Sequence, residues 1–327
     1  MKLPWLDGIK RQIEQGLTAG KFGHAPLIHG PGGVGKSVLA DWLVARLLCT
    51  GEPGETPCRV CQSCKLLTTG AHPDHFVLGI DEDNPAILVD QVRDFSASLA
   101  LTPAISRRRA GLIVPAEAMN LNAANALLKT LEEPAEDTWL VLVSDQPDHL
   151  AATIRSRCQR IPVAPPSRTV SGTWLAERFP DSDPEQWKIA VELAGGAPLL
   201  AASWLEHSGL DHGMKILGTL IAVVEGREDG TDRIAEWHKA PEATWAWLGR
   251  WNAALMEWHL TGSVRALNGR TPSAALNPGA ERQLFECWEG VLEGLRLARK
   301  PVRHDLLLRR WLLQWSQLAI TRQTASG

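Results

Sequence analysis

The 327-residue chain contains no tyrosine, and its 14 tryptophans mark a compositional bias to which no function attaches. It has no basic excess: 34 Lys and Arg stand against 37 Asp and Glu, a formal charge of −3. A chain that coats nucleic acid by itself needs a basic surface, so any such contact must be local or shared with partners. Long apolar runs are missing as well. Neither a signal-peptide core at Met1-Lys2-Leu3-Pro4-Trp5-Leu6-Asp7 nor a stretch of roughly 18 apolar residues is present, which predicts a cytoplasmic protein with no membrane contact. The length and the 44% hydrophobic content suffice for two or three domains with real cores.

Cysteine is sparse, six in all, but four are grouped as Cys49, Cys58, Cys61 and Cys64. Two C-x-x-C steps sharing a cysteine, with a fourth thiol upstream on a Pro/Gly-rich excursion, suit structural tetrahedral Zn²⁺ with no open position for catalysis. Cys158 and Cys287 stand apart and read as small buried residues.

The stretch Gly30-Pro31-Gly32-Gly33-Val34-Gly35-Lys36-Ser37 has the phosphate-loop pattern G-x-x-x-x-G-K-[ST]. Its glycines let backbone N–H groups turn onto a phosphate, its lysine supplies a charge, and its hydroxyl can ligate Mg²⁺. Ala25 to His29 reads as a short buried strand before it and Ser37 to Leu48 as a helix after it, which points a helix dipole at the phosphates. Residues 1–24 are helical in pattern through Ile9, Ile13 and Leu17. His24 stands either beside a bound base or as a loop histidine bonded to backbone.

Further strands are expected at His75 to Leu78, Ala110 to Val114 and Trp139 to Val143, with a helix over Val89 to Leu101. Active P-loop ATPases end the third strand in an Asp for Mg²⁺, often followed by a Glu that activates water. Here those places hold Val114 and Pro115, and Glu117 beyond them is a doubtful substitute. A helix over Asn122 to Pro134 places Leu121, Ala124, Leu128 and Leu131 on one face. Thr153 to Ile161, containing Ser156-Arg157-Cys158, reads as a helix end feeding a fifth strand. Pro162, Pro165 and Pro166 mark a boundary, and the rest is helical, including Pro184 to Ala194 and Pro198 to His207. Three apolar stripes follow: Trp245, Leu248, Trp251, Leu255 and Trp258; Leu284, Trp288, Val291, Leu295 and Ala298; Leu308, Trp311, Trp315 and Leu318. Arg296, Arg299, Lys300, Arg303, Arg309 and Arg310 form a basic cluster that reads as a solvated face.

Taken together, the P-loop, the four cysteines, the run Asn125 to Pro134 and Ser156-Arg157-Cys158 resemble the delta-prime family of subunits in the bacterial DNA polymerase III clamp loader, over roughly the first 200 residues. The resemblance implies an α/β P-loop AAA+ domain over 1–165 with a zinc insertion at 49–64. A small helical lid over 166–208 and an all-α C-terminal collar domain over 209–327 would follow. It implies a five-subunit ring with motor gamma/tau and delta subunits, acting through the complex on the sliding clamp and primer-template DNA. It also implies that Arg157 serves as an arginine finger in a neighbour's ATP site. Leu199 stands where motor subunits place a nucleotide-sensing arginine. That loss, with Val114-Pro115, points to a stator that does not hydrolyse ATP alone; binding of ATP or ADP with Mg²⁺ in the intact P-loop stays open. Two other readings are a self-sufficient AAA+ motor and a zinc-dependent nucleic-acid module built on Cys58 to Lys65. The second is disfavoured by a loop with no aromatic residue for stacking. Polymerisation is not expected, for want of a paired-carboxylate metal site.

Overall fold

The computed structural model describes residues 1–51, 57–80, 85–263, 270–273, 276–277 and 279–318; residues 52–56, in the expected zinc insertion, lie outside these. The chain divides into two compact units, Met1–Ser171 with Ala197–Leu200, and Gly172–Gly196 with Ala201–Gly327. No helix among the described residues is long and apolar enough to cross a membrane.

The first unit is built on five strands, β1 (Pro26–His29), β2 (His75–Leu78), β3 (Arg109–Ile113), β4 (Thr138–Ser144) and β5 (Gln159–Pro162). They form one parallel sheet in the order β2-β3-β4-β1-β5. Parallel pairing needs crossovers that cover the sheet. Accordingly α1 (Asp7–Thr18) precedes β1, α2 (Lys36–Leu48) and α3 (Gln62–Thr68) follow it, and α4 (Val89–Leu99), α5 (Leu121–Glu132) and α6 (Ala152–Arg155) fill the remaining connections. The strand order turns back at β1, and such a switch opens a crevice at the strands' carboxyl ends.

The core joins Leu27, Ile113, Leu140 and Leu142 of the sheet to Val92, Phe95 and Leu99 of α4 and to Ala123, Ala124, Leu127 and Leu131 of α5. The buried face of α5 thus differs from the expected stripe: Leu121 is 71% exposed. The Asn120 side chain accepts the Ala123 N–H at 2.8 Å and caps the helix. Leu121 is therefore the first helical residue, and the buried stripe is centred on two alanines, small enough for a close approach to the sheet.

A buried polar network fixes α3. The Nδ1 of His72 accepts the Asp74 N–H at 3.0 Å, so the ring proton sits on Nε2, 2.9 Å from Ser63 Oγ and 3.2 Å from Ser106 Oγ. Both hydroxyls donate to the Leu48 carbonyl at the end of α2. The Asp74 carboxylate accepts the N–H groups of Ala104, Ile105 and Ser106 at 2.6–2.8 Å. Burial lowers the His72 pKa, only partly offset by the nearby Asp74. At Asp74 burial works the other way, but the three N–H donors and His72 hold the carboxyl below its usual value.

The second unit is helical throughout its described residues. It takes in much of α7 (Arg168–Arg178), α8 (Pro184–Leu193) and most of α9 (Pro198–Glu206), then α10 (Gly209–Val224), α11 (Ile234–Trp237), α12 (Pro241–Thr261), α13 (Ala280–Leu297) and α14 (His304–Ser316). Tryptophan supplies its bulk. Trp245 meets Trp311 edge-on at 6.3 Å, and Trp311 stacks on Trp315 at 5.0 Å. Three buried indole N–H groups find acceptors, Trp251 at the Gly213 carbonyl, Trp311 at that of Cys287 and Trp315 at that of Leu220, at 2.8–3.0 Å, whereas Trp245 Nε1 has none. The α12 and α14 stripes are packed as expected, with Trp258 half-buried at the end of the first. On α13, however, Leu295 is 41% exposed and Gly294 is buried in its place. The Trp245 ring lies directly against Gly294 and leaves room for no side chain there.

Two outcomes follow from these packings. Below about pH 6.5 the unfolded chain takes up a proton that buried His72 refuses, so stability falls as the pH drops from there through the lowered folded value. Urea unfolding between pH 7 and pH 5 should show the wild type losing up to about 1.4 kcal/mol per pH unit more than His72→Gln; equal losses would refute the buried neutral histidine. Gly294→Ala should cost about 1–3 kcal/mol through overpacking against Trp245, seen as a lower urea midpoint at unchanged m-value.

Candidate functional site

The phosphate loop joins β1 to α2 at the sheet's crevice. Gly33 (φ 76°) and Gly35 (φ 96°) hold left-handed backbone that other residues adopt only with strain. Space is lacking too: a Cβ on Gly35 would lie 2.7 Å from Leu3 Cδ1, and one on Gly33 2.5 Å from Leu200 Cβ. The loop is tethered by its carbonyls. Trp5 Nε1–H donates to Val34 at 2.8 Å, and the Leu199 N–H donates to Gly33 at 2.9 Å. Donors on the carbonyl side leave the N–H side of the loop, at the positive end of the 13-residue α2, for an anion. Ser37 is exposed in the first turn of that helix.

Lys36 is only 4% exposed, and its Nζ lies 2.6 Å from Asp145 Oδ1 while also donating to the Pro31 carbonyl. Asp145 was not foreseen from the sequence. Its signal is positional: it directly follows β4, the strand paired with β1, and so emerges beside the phosphate loop. The end of β3 carries Val114 and Pro115. Glu117 Oε1 accepts the N–H groups of Asp145 and Gln146 at 2.9 and 3.2 Å, and its Oε2 is buried with no hydrogen-bond partner. The carboxylate opposite the loop lysine therefore comes from the end of β4, and Glu117 holds the backbone that presents it. His24 takes its backbone-bonded alternative, with Nε2 3.0 Å from the Leu131 carbonyl.

The sulfur atoms of Cys49, Cys58, Cys61 and Cys64 all lie within 4.8 Å of one another. Four thiolates at about 2.3 Å from a tetrahedral ion sit about 3.8 Å apart, so the set can close on a metal ion with little movement. Each C-x-x-C step carries an N–H···S bond, from Cys61 to the Cys58 sulfur and from Cys64 to the Cys61 sulfur, both 3.4 Å. Such donors favour thiolate. The Cys61 N–H, with that of Val60, lowers the Cys58 pKa. For Cys61, burial opposes ionisation, but the Cys64 N–H and donors from Thr50 bring it down to about 5. Burial pushes Cys64 up to about 12 in the metal-free cluster. Burial raises the isolated thiols, Cys158 to about 11 and Cys287, with the neighbouring Glu286 charge, to about 12.

Arg157 lies just beyond α6, and its side chain is 38% exposed. Its Nε donates to Glu132 Oε1 at 2.6 Å, its Nη2 pairs with the same carboxylate, and its Nη1 reaches the Thr153 carbonyl at 3.2 Å. Near the C-terminus, Arg299, Arg303 and Arg310 pair with Glu242, Asp305 and Glu293. Half of the expected basic cluster is thus neutralised locally, as a solvated face would be.

The family described as DNA polymerase III, delta subunit, matches residues 6–167. The DNA polymerase III subunit delta' of Pseudomonas aeruginosa is 34% identical over 329 residues, covering 96% of this chain and 97% of that protein. The Escherichia coli delta' subunit is 34% identical over 195 residues, 60% of this chain and 58% of its own length. The tau subunit of Bacillus subtilis is also 34% identical, but over 154 residues that make up 47% of this chain and 27% of that protein. With near-complete coverage on both sides of the Pseudomonas alignment, the chain belongs to the DNA polymerase III delta' (delta-prime) subunit family.

Proposed function

We propose that this chain is the delta-prime stator of a bacterial clamp loader in the cytoplasm. In this reading it sits in a five-subunit AAA+ ring with gamma/tau motors and a delta subunit. Residues 166–208 act as the lid and 209–327 as the collar that packs against the other subunits. The ring opens the sliding clamp and sets it on primer-template DNA during replication.

One observation carries the reading: a half-exposed Arg157 beyond α6 coexists with a β3 that ends in Val114-Pro115. The chain can offer a cation to developing negative charge elsewhere, yet it lacks the acid that would anchor Mg²⁺ and the base that would activate water in its own site. Arg157 is the arginine finger, supplied in trans. Glu117 is given a holding role in this reading, because its Oε1 binds the backbone at Asp145 and Gln146.

The four thiols fit Zn²⁺ in a closed, structural site, where the ion supplies cross-linking energy and no open coordination position. The phosphate loop fits the phosphates of ATP or ADP, with Lys36 and Ser37 as the binding side chains. A phosphate there competes with Asp145 for Lys36.

Steady-state ATPase of the chain alone, and of the chain reconstituted with gamma/tau, delta, clamp and primed DNA, tests this function. The lone chain should be inactive, and Arg157→Ala should lower the clamp-dependent rate of the assembly at least severalfold. Turnover by the lone chain that Lys36→Ala abolishes would make it a motor instead. For the metal, elemental analysis should give one zinc per chain for the wild type and none for Cys61→Ser/Cys64→Ser; retained stoichiometric zinc in the variant would discard the ligand set.

A further inference from the structure

Arg157 is a long side chain on a short connection, and an unrestrained arginine samples many rotamers. In this chain it is not left to do so. Glu132, the last residue of α5, takes the Nε–H at 2.6 Å and pairs with Nη2 along one edge of the guanidinium. The Thr153 carbonyl and the Ser156 hydroxyl receive Nη1 at 3.2 and 3.4 Å. The Glu132 backbone is itself fixed, because α5 is seated on the sheet through Ala123, Ala124, Leu127 and Leu131 and stops before Pro134. A planar fork gripped along its Nε edge and at Nη1 presents its one uncommitted N–H, on Nη2, in a set direction.

We propose that Glu132 is a positioning residue: its carboxylate backs the Arg157 guanidinium and aims it at the phosphates bound by the neighbouring subunit. The proposal rests on the arginine-finger reading of Arg157. The pair is half exposed, 38% on the arginine and 48% on the glutamate, and such pairs add little to folding stability. Misplacing a catalytic group by about 1 Å, in contrast, can cost on the order of 100-fold in rate. The pairing therefore matters for aim far more than for folding.

The test is clamp-stimulated ATPase in the reconstituted ring, with assembly affinity measured alongside, for wild type, Glu132→Gln, Glu132→Asp, Arg157→Ala and Glu132→Gln/Arg157→Ala. Glu132→Gln keeps the shape but loses the charge, and should lower kcat about 3- to 10-fold with KM for ATP and ring assembly unchanged. Glu132→Asp, which keeps the charge on a shorter stem, should fall between the two. The double variant should be no slower than Arg157→Ala, because a residue that acts through the arginine has nothing to aim once it is gone. Wild-type kcat in Glu132→Gln beside a depressed kcat in Arg157→Ala would overturn the proposal and spare the finger. A double variant slower than Arg157→Ala by the full Glu132→Gln factor would also overturn it. Wild-type kcat in Arg157→Ala would remove the finger reading and this proposal together.

Discussion

The chemistry of the first unit depends on one strand being hydrogen-bonded on both edges. β1 pairs in parallel with β4 on one side and β5 on the other, with Ile28 opposite Val143 and Ile161. That register sets the groups at two edges of the sheet. The phosphate loop leaves β1 and Asp145 leaves β4 at the carboxyl edge, whereas Arg157 lies two residues before β5 starts, at the amino edge. A slip of one residue in either pairing would reverse which side chains face the core and misplace the groups that follow.

Much of this was legible in the sequence, for reasons that differ element by element. The phosphate loop is local: glycine, lysine and hydroxyl are specified by the backbone turn they make, and Gly33 and Gly35 bear this out with positive φ. The four cysteines declare themselves through ligand spacing, and their sulfurs do converge. What could not be read were contacts made across the sheet. The Lys36–Asp145 pair joins residues 109 positions apart (145 − 36), through a strand pairing that no local pattern encodes. The true inner faces of α5 and α13 were missed by a residue or so, because Ala123 and Gly294 are buried for their smallness while a hydrophobic stripe is scored on large side chains. The tryptophans, which carried no message as a composition, are the filling of the helical unit and cap several of its carbonyls through their indole N–H groups.

The carboxylates beside the phosphate loop engage the protein itself: Asp145 Oδ1 pairs with Lys36, and Glu117 Oε1 holds the backbone after β4. At the opposite edge of the sheet, before β4 and β5 begin, Glu132 pairs with Arg157. In the proposed stator these carboxylates hold parts in place, and the burden of hydrolysis falls on other subunits.

The buried network at Leu48 has a mechanical side. Helix α2 begins in the phosphate loop, and its last carbonyl is grasped by Ser63 and Ser106, next to Cys49 of the thiol cluster. At 13 residues it is a rod of about 20 Å held at both ends. A rod free at one end can swing when its other end is pushed, whereas a rod anchored at both transmits load along its length. The thiol cluster sits at the anchored end like a foundation bolt, stiffening a helix whose other end lies at the crevice, as would suit the proposed stator.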